Sequence, residues 1–487
     1  MDVSRAFDRV FHEGLLFKLR QLGIGGPFLK WLQSYLSNRK QRVVINGTCS
    51  DWGSTEAGVP QGSILGPLLF LNFINDIAND ILTLIYLFAD DTSLLEIIDD
   101  IKESFSRLNN DLAQLQRWSE QWLVTFNPTK TVFTYITLKK TKPDLPNLFL
   151  SNTPVNQVSS HIHLGLTLSN NMSWENHVTS IAVKANKRVT LLKRIKRMVP
   201  RSCLETLYTS MIRPVLEYAC IIFDNCTLQQ SKMLERVQRE AAIVCTGAYR
   251  RTHHDTLLRE LGWPTLADRR LCQKLCLFYK MCHQLVPTYL SKLCPLQVSQ
   301  VSNYNLRNSQ DLVSKMSRLV CYQNSVVPSA IREWNKLPVG VRNSLSLQGF
   351  KTSVKKELYP LKTRRYSTCT GQMGINHGRL RMGLSALNAQ RFQYNLITFK
   401  NCLLCPAPKE DVVHYFLKCP CYFTQRVTLL KNMCELLAPG THYSLLPQLD
   451  EKYFCQILLC GSDDYDAAIN SQIFSHVQRF IDSTARF

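Results

Sequence analysis

The chain has 487 residues and 56.0 kDa, with 58 Lys and Arg against 37 Asp and Glu, a length that suits about three domains. Hydrophobic content of 45% with 20% charged residues excludes a disordered chain. The absence of any apolar run near the ~18 residues a bilayer requires excludes a membrane-spanning helix. A net charge of +21 points to a polyanionic partner, nucleic acid first.

In chain order, Asp2-Val3-Ser4-Arg5-Ala6-Phe7-Asp8 opens with two carboxylates around an aromatic residue. A turn at Gly23–Pro27 leads into helical spacing over Phe28–Leu36. Gln41–Ile45 reads as a strand entering a hairpin turn at Asn46-Gly47. Gly58-Val59-Pro60-Gln61-Gly62-Ser63-Ile64-Leu65-Gly66-Pro67 is a Gly/Pro loop feeding an apolar helix, and its glycines would let backbone approach a nucleotide or template closely. The apolar run Ile81–Phe88 stops at Asp90-Asp91, which suits a central strand with its carboxylates at the strand end or in a hairpin. Ile98–Trp122 has helical period, with Leu108, Leu112, Leu115 and Trp118 on one face. Pro143, Pro146 and Pro154 mark a loop-rich connector. Trp174–Arg197 is helical and basic, and the pattern stays helical from Arg201 to about Lys292, with a turn at Gly262-Trp263-Pro264. Residues 293–330 are Ser/Asn/Gln-rich and predicted irregular. Short helices follow, then a basic linker at Lys362-Thr363-Arg364-Arg365. With no secretory signal pattern, the 18 cysteines read as reduced thiols inside a cell.

The acidic positions Asp2, Asp90 and Asp91 suit phosphoryl transfer. Carboxylates from adjacent strands can hold two Mg²⁺ ions ~3.5–4 Å apart, which stabilise the attacking and leaving oxygens. A second constellation lies near the end of the chain: Cys402-Leu403-Leu404-Cys405, then His414, then Cys419. Its C-x2-C-x8-H-x4-C spacing fits a closed tetrahedral Zn²⁺ site, with Cys421 as an alternative to Cys419. Basic residues with interleaved aromatics, His377–Met382 and Arg391–Tyr394, suit single-stranded nucleic acid. They equally suit an amphipathic helix that packs Phe392 and Leu396 inward. The run Lys184–Lys187–Arg188, Lys193–Arg194–Lys196–Arg197 is a helix face that either tracks a phosphate backbone or is simply solvated.

The order and spacing of these blocks resemble the reverse transcriptase domain of non-LTR, LINE-like retrotransposons, the jockey-like branch in particular. Asp2–Asp8 is similar to motif A, Gly58–Gly66 to motif B, Phe88–Asp91 to motif C, Trp122–Thr131 to motif D and His163–Leu166 to motif E, the primer grip. Leu207–Tyr218 is similar to the thumb region, and Cys402–Cys419 to the C-terminal Cys/His motif of these elements.

The resemblance implies an α+β fold: a polymerase palm with an antiparallel sheet, lacking most of the fingers, then a helical thumb and a small zinc-binding C-terminal domain. It implies domains at 1–140 (palm), 141–175 (connector and primer grip), 176–295 (thumb-like), 296–365 (irregular linker) and 366–487 (Cys3His domain). The implied activity is RNA-directed DNA polymerisation with Mg²⁺ or Mn²⁺, and with Zn²⁺ at the C-terminal motif. The implied partners are an RNA template, a DNA primer and deoxynucleoside triphosphates, with no membrane and with the nucleus as the place of copying.

By the same resemblance Asp2 and Asp90 are the main metal ligands, Asp91 the neighbouring catalytic carboxylate, and the Val3 carbonyl a further metal contact. Phe7 is the steric gate against a 2′-hydroxyl. Gln61 and Gly62 line the nucleotide pocket, and Asp8 is structural. Lys130 is a proton donor to pyrophosphate or a solvated lysine. Because motif A begins at residue 2, the chain is expected to be an N-terminally truncated copy with little polymerase activity alone. The alternative is a catalytically dead nucleic-acid-binding remnant or a recruited scaffold.

Overall fold

The computed structural model describes residues 1–487 apart from 2, 4, 302–308, 315, 360–370 and 440–449. The chain divides into two compact units, Met1–Ser173 and Trp174–Phe487.

Unit 1 begins with two packed helices, α1 (His12–Gln21) and α2 (Gly26–Leu36). Pro27 sits in the first turn of α2, where its missing N–H has no partner to lose. Leu15 and Leu19 of α1 and Leu29, Leu32 and Leu36 of α2 are buried at helical spacing. An arm of four short strands follows: β1 (Arg39–Gln41), β2 (Val44–Ile45), β3 (Thr48–Cys49) and β4 (Gly53–Thr55). β1 pairs with β4 and β2 with β3, both antiparallel. The turn is Asn46-Gly47 with φ of 49° and 85°, the positive values a tight hairpin requires at both central positions.

α3 (Leu65–Ile74) buries Leu69, Phe70 and Phe73. β5 (Leu84–Phe88) and β6 (Asp91–Leu95) form an antiparallel hairpin in which Phe88 opposes Asp91. α4 (Ile101–Gln121) is capped by Asp100, whose carboxylate accepts the Glu103 N–H at 2.9 Å. It buries Phe105, Leu112, Leu115 and Trp118. Asp111 of the same helix is buried and accepts the backbone N–H groups of Leu82 and Thr83 at 3.1 and 2.9 Å, which fixes the entry into β5. The remaining strands are β7 (Val132–Phe133), β8 (Phe149–Leu150), β9 (Thr153–Pro154), β10 (Asn156–Gln157), β11 (Ser160–His163) and β12 (Leu166–Ser169).

The expected antiparallel sheet differs in detail. Among the described residues the strands form six two-stranded ladders, and β7 with β10 is parallel. The physical reason is strand length: most are two to four residues, too short to recruit neighbours on both edges. Backbone pairing nonetheless runs past β6. The Met1 amine donates to Thr92 O at 2.6 Å, Thr92 N–H donates to Met1 O at 3.2 Å, and Val3 bridges Phe126.

Unit 2 is helical: α5 (Glu175–Ile195), α6 (Arg201–Leu207), α7 (Arg213–Glu217), α8 (Leu228–Thr246), α9 (His254–Leu261) and α10 (Leu266–Cys282). A reciprocal cap between Thr227 and Gln230 starts α8. Gly247 ends it in the left-handed region at φ 65°, and a Cβ there would sit 2.7 Å from Ile375. Helices Val326–Lys336 and Leu347–Leu358 pack Trp334 and Phe350 against Phe278 and Tyr279 of α10. The last helices, Phe423–Leu437, Glu451–Cys460 and Ala467–Ser483, surround Tyr415 and Phe416. The linker Lys362-Thr363-Arg364-Arg365 lies outside the described residues. No helix of the described residues is long and apolar enough to cross a membrane.

Candidate active site and metal centre

The Ala6–Asp8 turn and the Gly58–Gln61 loop are locked together main chain to main chain. Val59 N–H donates to Phe7 O at 2.7 Å and Gly58 N–H to Val10 O at 2.9 Å, while His12 Nε2 bonds Gly58 O at 2.7 Å. Gly58 is needed for two reasons. Its φ is 93°, and a Cβ would lie 2.8 Å from the Asp8 backbone. Gly66 is similarly constrained, because a Cβ would meet Pro60 O at 2.7 Å. The half-buried Phe7 ring stacks on Phe70 of α3 with centroids 4.6 Å apart. Gln61 is exposed and donates to Asp8 Oδ1 at 2.8 Å, so Asp8 orients Gln61. Gly62 is exposed at φ 80° with open space where a side chain would point.

Asp90 and Asp91 occupy the β5–β6 hairpin, both partly exposed. Ala89 takes a left-handed φ of 51°, a conformation that costs a non-glycine residue about 1 kcal/mol or more and clusters at functional sites. Asp2 lies outside the described residues, but its neighbours are placed: Val3 is buried, and Met1 pairs beside β6. Val3 also touches the next block through its bridge to Phe126, and Arg9 donates to Thr125 Oγ1 at 2.9 Å. There Asn127 Oδ1 accepts from Thr129 N and Oγ1 and from Lys130 N at 3.1, 2.7 and 3.3 Å, closing an Asx turn that carries the exposed Lys130. On β11, burial pushes the His161 imidazole below its ordinary pKa; the Met1 amine and His163 push the same way and Asp91 opposes. The β11–β12 hairpin therefore lies close enough to Asp91 for the carboxylate to act on His161.

Sequence reasoning missed the hub beneath this site. Lys18 of α1 is buried, with Nζ 3.8 Å from the Trp122 ring centroid and 4.9 Å from that of Trp118. It donates to Phe73 O at 2.6 Å and to Asp76 at 2.5 Å, and Trp118 Nε1 donates to the same carboxylate oxygen at 3.0 Å. Desolvation lowers the Lys18 pKa, opposed by Asp76. The only available signal was a lysine on the apolar face of α1.

In unit 2 the donor atoms of Cys402, Cys405, His414 and Cys419 all lie within 4.8 Å of one another. Cys405 Sγ is 3.4 Å from His414 Nε2. A π-turn over His414–Lys418 explains the convergence: Cys419 N–H bonds His414 O at 2.8 Å, which brings residues five apart onto one side. Asp411 Oδ1 accepts the His414 N–H at 2.9 Å, and Leu404 N–H points at Cys402 Sγ at 3.4 Å. Arg426 donates to the carbonyls of Leu417 and Cys419. Buried Glu410 receives a two-pronged bond from Arg486, both at 2.7 Å. Three soft sulfurs and one imidazole fit Zn²⁺ with no fifth donor needed. Cys421 is exposed with its Sγ turned to Leu404 O at 3.0 Å, so Cys419 is the member of the cluster.

The basic stretches divide. Arg379 donates twice to Gly247 O, at 3.0 and 2.7 Å, and lies over the Tyr249 ring. The Arg381 side chain is 2% exposed and bonds Glu260 at 3.2 and 2.7 Å. Arg379 and Arg381 are thus used within the fold, whereas Arg391 is half-buried and Phe392 and Tyr394 are exposed. Of the two readings, the inward packing of Phe392 and Leu396 is overturned, since both are exposed. Within the earlier run Lys193 pairs with Glu240 at 2.7 Å and Arg188 with Met211 O, while Lys184, Lys187, Arg194, Lys196 and Arg197 are exposed.

Residues 1–168 match the family described as reverse transcriptase (RNA-dependent DNA polymerase). Three Drosophila melanogaster proteins are similar over 55% of this chain. The probable RNA-directed DNA polymerase from transposon X-element is 29% identical over 282 residues, 30% of its own length. The probable RNA-directed DNA polymerase from transposon BS is 28% identical over 281 residues, 31% of its length. The RNA-directed DNA polymerase from mobile element jockey is 28% identical over 284 residues, 30% of its length. The chain thus spans about a third of the relatives it matches. Residues 1–168 thus match the reverse transcriptase family, and the relatives that share this stretch are named as RNA-directed DNA polymerases of transposons and mobile elements.

Proposed function

We propose that this chain serves RNA-directed DNA synthesis by two-metal nucleotidyl transfer, extending a DNA primer on an RNA template from deoxynucleoside triphosphates. The observation that supports it most is the Phe7–Val59 and Val10–Gly58 lock in unit 1, which holds the motif A turn against the motif B loop within a reverse transcriptase domain. Asp2, Asp90 and Asp91 are the ligands for Mg²⁺ or Mn²⁺, with the Val3 carbonyl as a further contact. When bound, the ions supply charge stabilisation at the attacking and leaving oxygens. Phe7, anchored by Phe70, presents a fixed ring edge against a sugar 2′-hydroxyl. Gln61, oriented by Asp8, and Gly62 line the nucleotide pocket. Lys130 delivers a proton to the departing pyrophosphate. The exposed cations of α5 follow the template–primer backbone, and copying takes place in the nucleus. In this reading residues 1–140 act as palm, 141–175 as connector and primer grip, 176–295 as thumb, 296–365 as linker and 366–487 as a zinc-bearing module.

The test is incorporation on an RNA template with an annealed DNA primer. Mg²⁺-dependent extension that Asp90→Asn abolishes carries the reading; extension that survives Asp90→Asn sinks it. Mn²⁺ binding by electron paramagnetic resonance, lost in Asp90→Asn and Asp91→Asn, reports the same carboxylates without turnover. Nucleic-acid binding with no incorporation and no Mn²⁺ site is the outcome of a non-catalytic remnant.

The Cys402, Cys405, His414 and Cys419 cluster is assigned to Zn²⁺ on its donor chemistry. One zinc per chain by elemental analysis, and thiolate-to-metal absorption bands after Co²⁺ exchange, both lost in Cys405→Ala, are the expected results. A chain purified without zinc that shows no Co²⁺ bands would falsify it.

A further inference from the structure

α2 carries two stripes at the same spacing. Leu29, Leu32 and Leu36 face the core, Phe28 and Trp31 face outward, and Tyr35 is half-buried against the core edge. Phe28 is 53% and Trp31 51% exposed. Phe28, Trp31 and Tyr35 form a ladder: Phe28 to Trp31 is 5.8 Å between centroids at 11°, and Trp31 to Tyr35 is 5.9 Å at 20°. Arg39, the first residue of β1, continues it, with its guanidinium 5.0 Å from the Tyr35 ring centroid and Nη1 donating to Tyr35 O at 2.9 Å. The β1–β4 arm repeats the pairing: Arg42 lies 4.7 Å from the ring centroid of Trp52, which is 60% exposed. Apart from the half-buried Thr55, every residue from Arg39 to Thr55 is exposed, the apolar Val43, Val44 and Ile45 included.

Two-stranded hairpins without a covering layer are marginal in water, and soluble surfaces rarely leave such a row of aromatic rings bare. The arm and ladder are therefore built to be covered. Charge selects the cover. Residues 26–55 hold Lys30, Arg39, Lys40 and Arg42 against Asp51 alone, four positive and one negative, a net +3. A second copy of this chain would bring the same positive surface and be repelled. A duplex keeps its base faces stacked inside. A single strand offers both free base faces for the rings and phosphates for the arginines.

We infer that the α2 ladder and the β1–β4 arm form a base-stacking platform for single-stranded nucleic acid. The platform is separate from the Asp90–Asp91 hairpin and does not depend on its catalysis. Bases lie on the exposed faces of Phe28, Trp31 and Trp52, with Arg39, Lys40 and Arg42 at the backbone. The platform orders an unpaired strand, and the RNA or DNA identity of that strand is an outcome of the test.

The test is fluorescence anisotropy of the full chain with labelled 20-mers: single-stranded uridine and thymidine oligomers, a duplex, and an abasic thymidine analogue. All are run in EDTA, so that catalysis plays no part. Phe28→Ala/Trp31→Ala is expected to lose at least about fivefold in affinity for the single strands and little for the duplex or the abasic strand. Arg39→Ala/Arg42→Ala weakens all four. Trp31→Leu, which keeps an apolar side chain on that face, guards against misfolding and is expected to lose single-strand affinity with an unchanged melting curve. A ring variant that binds uridine and thymidine oligomers like the parent, or that weakens the abasic strand equally, overturns the platform. Loss of polymerase function in Asp90→Asn leaves these affinities unchanged, so the two readings fail separately.

Discussion

Gly58 shows how one residue constrains unit 1. A Cβ there is both conformationally strained and within 2.8 Å of the Asp8 backbone, so Gly58→Ala must open the lock that positions Phe7. The expected cost is about 1–3 kcal/mol of unit 1 stability in denaturant titration, with a larger fractional loss of primer extension. His377 makes the other residue-scale case. It is fully buried, its Nε2 bonds Leu458 O at 3.2 Å, and burial, reinforced by Arg381, holds its pKa well below the ordinary histidine value. The folded pKa is depressed, so the stabilisation is complete above about pH 6.5 and is lost as pH falls below it, by at most about 1.4 kcal/mol per pH unit. Denaturation midpoints of the parent and of His377→Gln across pH 5–8 check this, and the variant is expected to lose that component of the slope. His177 and His476 shift in the same direction through burial and contribute to the parent's acid sensitivity.

At the scale of elements, Glu260 ties α6, α9 and helix Gly371–Arg381 together. Arg201 Nη1 donates to it at 2.8 Å and Arg381 Nη2 at 2.7 Å, and all three side chains are buried. Removing one member leaves guanidinium charge without its partner, so Glu260→Gln is expected to cost about 3–5 kcal/mol in unit 2. Chemical denaturation of the variant measures it, and a loss under about 1 kcal/mol contradicts the network's role. The same network explains what the sequence could not disclose. Arg381 and Glu260 are 121 residues apart, and Lys18 and Asp76 are 58 apart. A basic run read locally looks free until the distant carboxylate is known. Local chemistry, by contrast, was legible. The Asn46-Gly47 hairpin, the loop leading into α3, the long helix α4 and the Cys402–Cys419 spacing all follow from near neighbours and appear in the structure. The exposed ladder on α2 was invisible for a further reason: its two stripes share one periodicity, and only packing tells which faces the core.

For the whole molecule, a net charge of +21 overstates what a polyanion meets, because Arg201, Arg270, Lys274 and Arg381 are spent on internal carboxylates. Single-strand affinity should still fall steeply with salt. A plot of log affinity against log salt is expected to have a slope near −0.7 for each phosphate contacted. Arg39→Ala/Arg42→Ala should flatten it by about one to two units, while Arg379→Ala leaves the slope unchanged. Metal removal tests the other end of the chain. A zinc chelator is expected to lower the unfolding temperature of unit 2, and added Zn²⁺ to restore it.

The indole groups of unit 1 make these experiments self-reporting. Trp118 and Trp122 stand beside the Lys18 ammonium, with Trp118 bonded to Asp76, whereas Trp31 and Trp52 lie open to water. The first pair emits from a rigid, charged cage and changes colour only when the hub opens. The second pair is quenched by any base laid upon it. Subtracting each double variant from the parent removes the common emission of Trp174, Trp263 and Trp334 in unit 2: the signal lost in Trp31→Phe/Trp52→Phe watches occupancy, and the signal lost in Trp118→Phe/Trp122→Phe watches unfolding of unit 1, two optical channels without a dye.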